Sequence, residues 1–439
     1  MRFTRLRLSM LLGLLALSGC GGSSSGSHGG SGGAPTLVTF TITGSTPTAV
    51  ATRTGTDPFA AATLNSGAVT ISLPSGITDF SVAFVCPLSS GSSQPAQQFV
   101  FEASLLDGTS FSTPCLEAAA PASTGTLTGS IDASAIPVVS SSGAGPFLNV
   151  DAWGGGSVLA AADTEFGSTF DFSFLAPSGS DRVEVEAYNS FQTNVGGLDE
   201  GISLAAARNF SSQMVPGALN GGNAIILGPA DETTPEAITY SNVPSGFLTP
   251  YTTADLEING DTRFIVDSAA TTQYPALPAS AMGSGDYYVF TSYASNAGEI
   301  VTGVEVTQTS ATAIPLNVTF PSAWFYAGPT PAALPTFDLA YSGFSGTTGI
   351  YDSVILNWNL VSAEEERLKI IATANFLNGS TSLAVPDLST LPGFLAPPAS
   401  GTSVLWEAEI SHSTSPLLQP TQTNGTVTSV SNGGWLTVP

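Results

Sequence analysis

The residues able to do chemistry are mostly acids. Asp+Glu number 33 against 9 Lys+Arg, a formal net charge of −24. Two groups of adjacent carboxylates stand out: Asp199-Glu200 beside glycines, and Glu364-Glu365-Glu366 between two strand-like runs. Two carboxyl groups facing one cleft are the machinery of glycoside hydrolysis. An extracytoplasmic hydrolase using paired carboxylates is therefore the alternative reading. Nothing in the pattern brings either group to a cleft, so no catalytic residue is named. Asp255-Leu256-Glu257-Ile258-Asn259-Gly260 imitates the first half of an EF-hand loop, but Val266 stands where the bidentate glutamate belongs. No metal ligands are named, and calcium at unidentified loop carboxylates is the one cofactor left open. Histidine occurs only as His28 and His412, which starves most metal sites and triads of their usual ligand or base. His412, flanked by serines, reads as a surface residue.

The remaining candidates are rings that could stack on a sugar. Consecutive strand residues point to opposite faces. In Trp324-Phe325-Tyr326 and Tyr287-Tyr288 at least one ring of each run is thus expected outside. Trp153, Tyr288, Trp324 and Tyr326 are the possible ligand-contact aromatics, Trp153 because it adjoins Gly154-Gly155-Gly156. Trp358 and Trp406 fall on apolar faces and read as core. The acidic balance repels phosphate and so argues against nucleic acid as a partner.

The leader carries the sharpest signal. Arg2, Arg5 and Arg7 precede an apolar stretch, Leu8 to Leu17, too short to span a bilayer. The stretch ends in Leu17-Ser18-Gly19-Cys20, which resembles the lipobox of bacterial lipoproteins. The resemblance implies cleavage before Cys20, acylation of its thiol and new amine, and a membrane partner reached through that anchor. Two or more acyl chains, at about 0.8 kcal/mol per buried CH₂, make such anchoring stable. Gly21, where aspartate favours inner-membrane retention, leans toward the outer membrane if two membranes are present. Residues 21–35 are a Gly/Ser tether with no apolar surface to bury. The G-x-S-x-G at Gly22–Gly26 lies inside that tether, without the strand and helix a nucleophile elbow needs.

Export implies an oxidising compartment, in which Cys86 and Cys115 are expected to bridge.

The elements that must position these residues are strands. Helix signals are nearly absent, whereas period-two runs recur: Thr36 to Gly44, Asp79 to Cys86, and Val404, Trp406, Ala408 and Ile410 alternating with Glu407 and Glu409. Asn259-Gly260 marks a two-residue hairpin. The fold class expected is all-β: several antiparallel β-sandwich modules in tandem behind a disordered leader and tether. The divisions are 1–19 (signal peptide), 20–35 (anchor and tether), and modules at 36–121, 122–230, 231–321 and 322–439. Arg367 and Lys369 share one strand face, and Glu407 and Glu409 share another. These strands are expected to be neighbours that pair their charges.

Gly125-Thr126-Leu127-Thr128-Gly129-Ser130-Ile131, Phe147 to Ala152, and the Phe170 to Ala187 hairpin resemble carboxypeptidase-regulatory-like modules, which have a prealbumin-type sandwich. The chain departs from them at Asp181-Arg182-Val183, where a tyrosine is usual. The resemblance implies an accessory module without chemistry of its own. The associated zinc signature H-x-x-E is missing, since Ser31 and Ser415 stand at the glutamate positions.

Together these readings describe a lipid-anchored cell-envelope protein with a structural or adhesive role, a glycan or another envelope protein being its expected contact. Membership of an envelope assembly is a further alternative.

Overall fold

A computed structural model describes residues 34–439 except 88–95, 116–122, 138–146, 155–156, 167, 178–181, 193–199, 211–216, 259–260, 269–271, 279, 284–285, 297–300, 309–314, 342–350, 361–365 and 414–424. The protein is all-β, and one strand plan repeats along it. In the first unit Thr36–Gly44 pairs antiparallel with Ala68–Leu73 and parallel with Ser110–Cys115. Facing this small sheet is a layer ordered Ala96–Ser104, Asp79–Cys86, Ala49–Thr54, Ala60–Ala61. The second unit places Ser123–Asp132 between antiparallel Thr169–Pro177 and the parallel pieces Gly217–Ala218 and Ile225–Ile226. The third places Thr234–Ser241 between Gln273–Ala276 and parallel Leu316–Thr319. In the fourth, Thr336–Asp338 pairs with Ser382–Ala384, and among the described residues no parallel strand joins it.

Each unit closes over its own apolar cluster. Phe40, Phe84 and Phe111 lie in the first, Val150 and Val185 in the second, Tyr288 and Phe290 in the third, and Trp406 and Phe337 in the fourth. The Cys86–Cys115 disulfide joins the two layers of the first unit.

The larger layers do not remain separate. They join edge to edge into one 16-stranded sheet, in the order second, third, fourth, first unit. Gly425–Thr437 of the fourth unit pairs with Val301–Gln308 of the third over Val301↔Ser431 to Thr307↔Gly425. Glu366–Thr373 of the fourth runs parallel to Ala96–Ser104 of the first. That junction puts the two cores on opposite faces. Leu368, Ile370 and Ala372 face the fourth core and align with Gln98, Val100 and Glu102, whereas Ile371 aligns with Phe101 toward the first. Asp79–Cys86 is consequently buried on both faces at every position after Asp79. This explains its nearly unbroken apolar sequence.

The expectation about charged strands is corrected here. Glu366–Thr373 and Ser403–Ser413 lie in the same sheet but are not neighbours, because Tyr351–Leu360 pairs with both. A polar row lies across three strands where two were anticipated.

Among the described residues of the fourth unit, side chains rather than a parallel strand flank Thr336–Asp338 on its second side. Tyr326 stacks on Trp324 at 5.1 Å and meets Trp406 edge-on at 5.5 Å. Its hydroxyl accepts from the backbone N–H of Asp338 at 3.2 Å. In the first unit the corresponding outward N–H, that of Thr39, donates to Thr109 at the start of the parallel strand. Gly328, at φ +90°, makes room for the Trp406 ring, since a Cβ there would stand 2.8 Å from it.

Cys86 and Cys115 are 29 residues apart. Replacing both by alanine is expected to lower unfolding stability by about 3 kcal/mol, the loop-closure entropy returned to the unfolded chain. Urea denaturation of the exported, oxidised protein against the double variant measures it.

Candidate binding surface

Two polar clusters pin the first unit to the fourth. Arg53, on Ala49–Thr54, donates to Ser81 Oγ at 3.0 Å and to Glu102 Oε1 at 2.5 Å, and its guanidinium lies over the Phe59 ring at 4.7 Å and the Phe376 ring at 5.8 Å. Glu102 is 2% exposed, and its second oxygen is buried without a hydrogen-bond partner. Burial raises the Glu102 carboxyl to about 7, outweighing the Arg53 charge and hydrogen bond that lower it. The second cluster centres on Asp107. It accepts from Thr373 Oγ1 at 2.5 Å, from Asn375 Nδ2 at 2.6 Å and from the backbone N–H of Ser104 at 2.8 Å. Between the second and third units, Arg208 makes a two-pronged pair with Asp231, which is 1% exposed. Asp107 and Arg208 find their polar partners across a unit boundary, whereas Arg53 and Glu102 pair within the first unit and reach the fourth only through the Phe376 ring.

The aromatics singled out from sequence do not gather at one surface. Tyr288 is fully buried in the third core, where its hydroxyl accepts from the Leu277 N–H at 2.9 Å. Trp324 is core as well, and Tyr326 is partly buried between Trp324 and Trp406. These three rings named as possible contacts are packing residues: Tyr288 fills the third core, and Trp324 and Tyr326 pack against the fourth. Trp153 stands in Phe147–Gly154, with its side chain outside the described residues, as are Cys20, His28 and Asp199. Glu200 opens Glu200–Phe210 and Glu366 opens Glu366–Thr373, their side chains likewise outside. His412 is corrected from surface to interior at 7% exposure, because it continues the inward row Trp406, Ala408, Ile410. Asp255 to Asp261 form the hairpin that Asn259-Gly260 foretells, with Ile258 paired to Asp261. Among the described residues no group of three or more His, Cys, Asp or Glu could hold a metal.

The exposed rings are others. Trp435 is 60% exposed on the outer face of Gly425–Thr437, and Phe325 is 74% exposed. Trp435 lies opposite Leu405, which lies opposite Asn359, which lies opposite Arg367. One row of the sheet thus carries an exposed indole, an apolar residue, an amide position and a guanidinium position. Gly433, the next outward position along the strand, has no side chain to cover the indole. An exposed indole can stack on a planar or sugar-ring face. Sequence reasoning passed over Trp435. The signal was present, since the inward-facing Leu436 and Val438 put Trp435 and Thr437 on the other side.

No family model matches the chain, and no curated protein matches it. Among solved structures it is similar to the pilus adhesin SpaC from Lactobacillus rhamnosus GG, at 9% identity and a TM-score of 0.12, over 77% of this chain and 44% of that one. The chain thus spans less than half the length of that adhesin. No helix among the described residues is long and apolar enough to cross a membrane.

Glu102 binds its proton more tightly folded, near 7, than at its ordinary value of 4.5. The folded state therefore holds the extra proton between those values, and stability falls as pH rises through that window. Relative to the parent, Glu102→Gln is expected to gain up to about 3 kcal/mol between pH 4.5 and pH 8. Paired urea titrations at the two pH values test this, and a pH-independent difference refutes it.

Proposed function

We propose that the chain is a lipid-anchored protein of the bacterial cell envelope with a structural or adhesive role, presenting its β-sandwich units to a glycan or to a neighbouring envelope protein. The lipobox-like Leu17-Ser18-Gly19-Cys20 and the Gly/Ser tether support anchoring, with the outer membrane favoured where there are two. The observation that carries the role is the fused sheet. A buried ion pair joins the second and third units, Asp107 ties the first to the fourth, and an exposed indole, Trp435, lies on the outer face of the sheet. Such a body holds its contact surface in a fixed arrangement beyond the Gly/Ser-rich segment.

Two measurements test this. Radiolabelled palmitate is expected to enter the parent and not Cys20→Ala, which should leave the membrane fraction. The soluble form starting near Thr36 is expected to retain a glycan or an envelope protein in array and pull-down experiments. Trp435→Ala should lower that retention about tenfold or more, the loss of roughly 1.5 kcal/mol of ring contact, without changing the unfolding midpoint. Retention of neither class overturns the adhesive role, and unlabelled parent protein overturns the anchor.

A further inference from the structure

A recess lies over the seam between the first and fourth units, and both units line it. Gln98 comes from the first unit and stands beside Leu368 of the fourth, its partner in the parallel pairing. Val385, Leu388 and Leu395 of the fourth unit supply further apolar walls. Pro386, Pro397 and Pro398 complete them, with fixed backbone angles and no N–H to offer. The recess holds about 420 Å³ of space, part of it open to solvent. An open bowl of this kind takes one side chain of a larger partner rather than a ligand enclosed on all sides.

Two polar groups interrupt the apolar lining. Gln98 is 3% exposed. The Leu395 N–H donates to its Oε1 at 2.9 Å, which fixes the orientation of the carboxamide and leaves Nε2 as the other end. Among the described residues Nε2 meets no acceptor, so a donor of a buried side chain stands in the lining unmet. That costs free energy which an arriving acceptor returns. Asp387, on the rim, is exposed. Ser389 donates to its Oδ1 from Oγ at 2.6 Å and from the backbone N–H at 2.9 Å, and these bonds hold the carboxyl below its ordinary range. The rim is thus anionic at neutral pH, on a chain whose net charge is −24.

The matching ligand carries an apolar group, an acceptor oxygen beside it and a positive charge further out. An acyl chain leaves the Gln98 donor unmet, a sugar leaves the apolar walls without a partner, and a phosphate is repelled by Asp387. A peptide has a carbonyl at every residue. We propose that this recess is a docking site for a basic peptide segment of a partner protein. An aliphatic side chain enters the bowl, the backbone carbonyl of that residue accepts from Gln98 Nε2, and an adjoining Lys or Arg pairs with Asp387. The proposal rests on the reading of a neighbouring protein as the contact, and it names that partner's chemistry. Because the first unit gives the donor and the fourth gives the walls and the carboxylate, the site exists only while Ala96–Ser104 and Glu366–Thr373 are paired. A bound segment therefore stabilises the seam by mass action.

The probe is the synthetic peptide acetyl-Gly-Leu-Lys-Gly-amide, titrated against the purified full chain and read by saturation-transfer difference NMR. Saturation is expected to be strongest at the leucine methyls. Glycine in place of the leucine should weaken binding about tenfold or more. Norleucine in place of the lysine should weaken it about threefold, and more salt should erase that difference. Asp387→Asn keeps an oxygen for Ser389 and should bind the lysine and norleucine peptides alike. Gln98→Met keeps the volume, removes the donor and should weaken both. The probe is read directly, so the result does not depend on whether any envelope protein is retained from the cell. No saturation transfer to the parent chain, equal binding of the glycine peptide, or an unchanged preference for lysine in Asp387→Asn each overturns the proposal.

Discussion

The constraint on which the rest depends is the continuity of the 16-stranded sheet. A sandwich of about a hundred residues ordinarily ends in exposed strand edges, with backbone donors and acceptors open to pairing. Here the facing edges at three junctions are paired with each other. The first and last units in sequence are brought together by the parallel pairing of Ala96–Ser104 with Glu366–Thr373. The sheet order, second, third, fourth, first, means that this junction is a long-range contact. It buries the outer face of Asp79–Cys86 beneath the fourth unit while its inner face serves the first.

That double burial accounts for the placement of charge. A strand covered on both faces cannot hold a charged side chain without a partner. The polar residues there, Ser81, Gln98 and Glu102, all find one: Arg53 binds Ser81 and Glu102, and Gln98 Oε1 accepts from the Leu395 N–H at 2.9 Å. Asp107, Thr373 and Asn375 do the same at the end of the junction. In a chain so poor in cations, Arg53 and Arg208 at unit boundaries and Lys369 inside the sheet mark where the fold is assembled rather than where a ligand is met.

The fourth unit shows how side chains substitute for a strand. Three units flank their first strand on both sides, and among the described residues the fourth flanks it on one. Trp324 and Tyr326 pack beside Thr336–Asp338, and the Tyr326 hydroxyl accepts a hydrogen bond from the Asp338 N–H, as a strand carbonyl would. Rings that by local pattern alternate between faces are thereby drawn inward, and the exposed indole appears on the opposite side of the sheet at Trp435.

What the sequence determined alone is what depends on local pattern. Alternation in Val404 to Ile410, the Asn259-Gly260 turn and the lack of helical periodicity are properties of a few adjacent residues, and they specified an all-β protein of several sandwiches. The pairing of Cys86 with Cys115 followed from there being no other thiol to choose beyond Cys20 in the leader. Tertiary structure decided what depends on residues far apart in the chain. Period two puts neighbouring rings on opposite sides of a strand but does not say whether both sides are covered: Phe325 is exposed as one ring of its run was expected to be, whereas Tyr287 and Tyr288 are both buried. It says that Lys369 and Glu407 are each on a face, but not that Asn357 stands between them. The fusion of four layers into one sheet was invisible for the same reason: a strand edge carries its pairing in backbone groups, which are alike for every residue but proline.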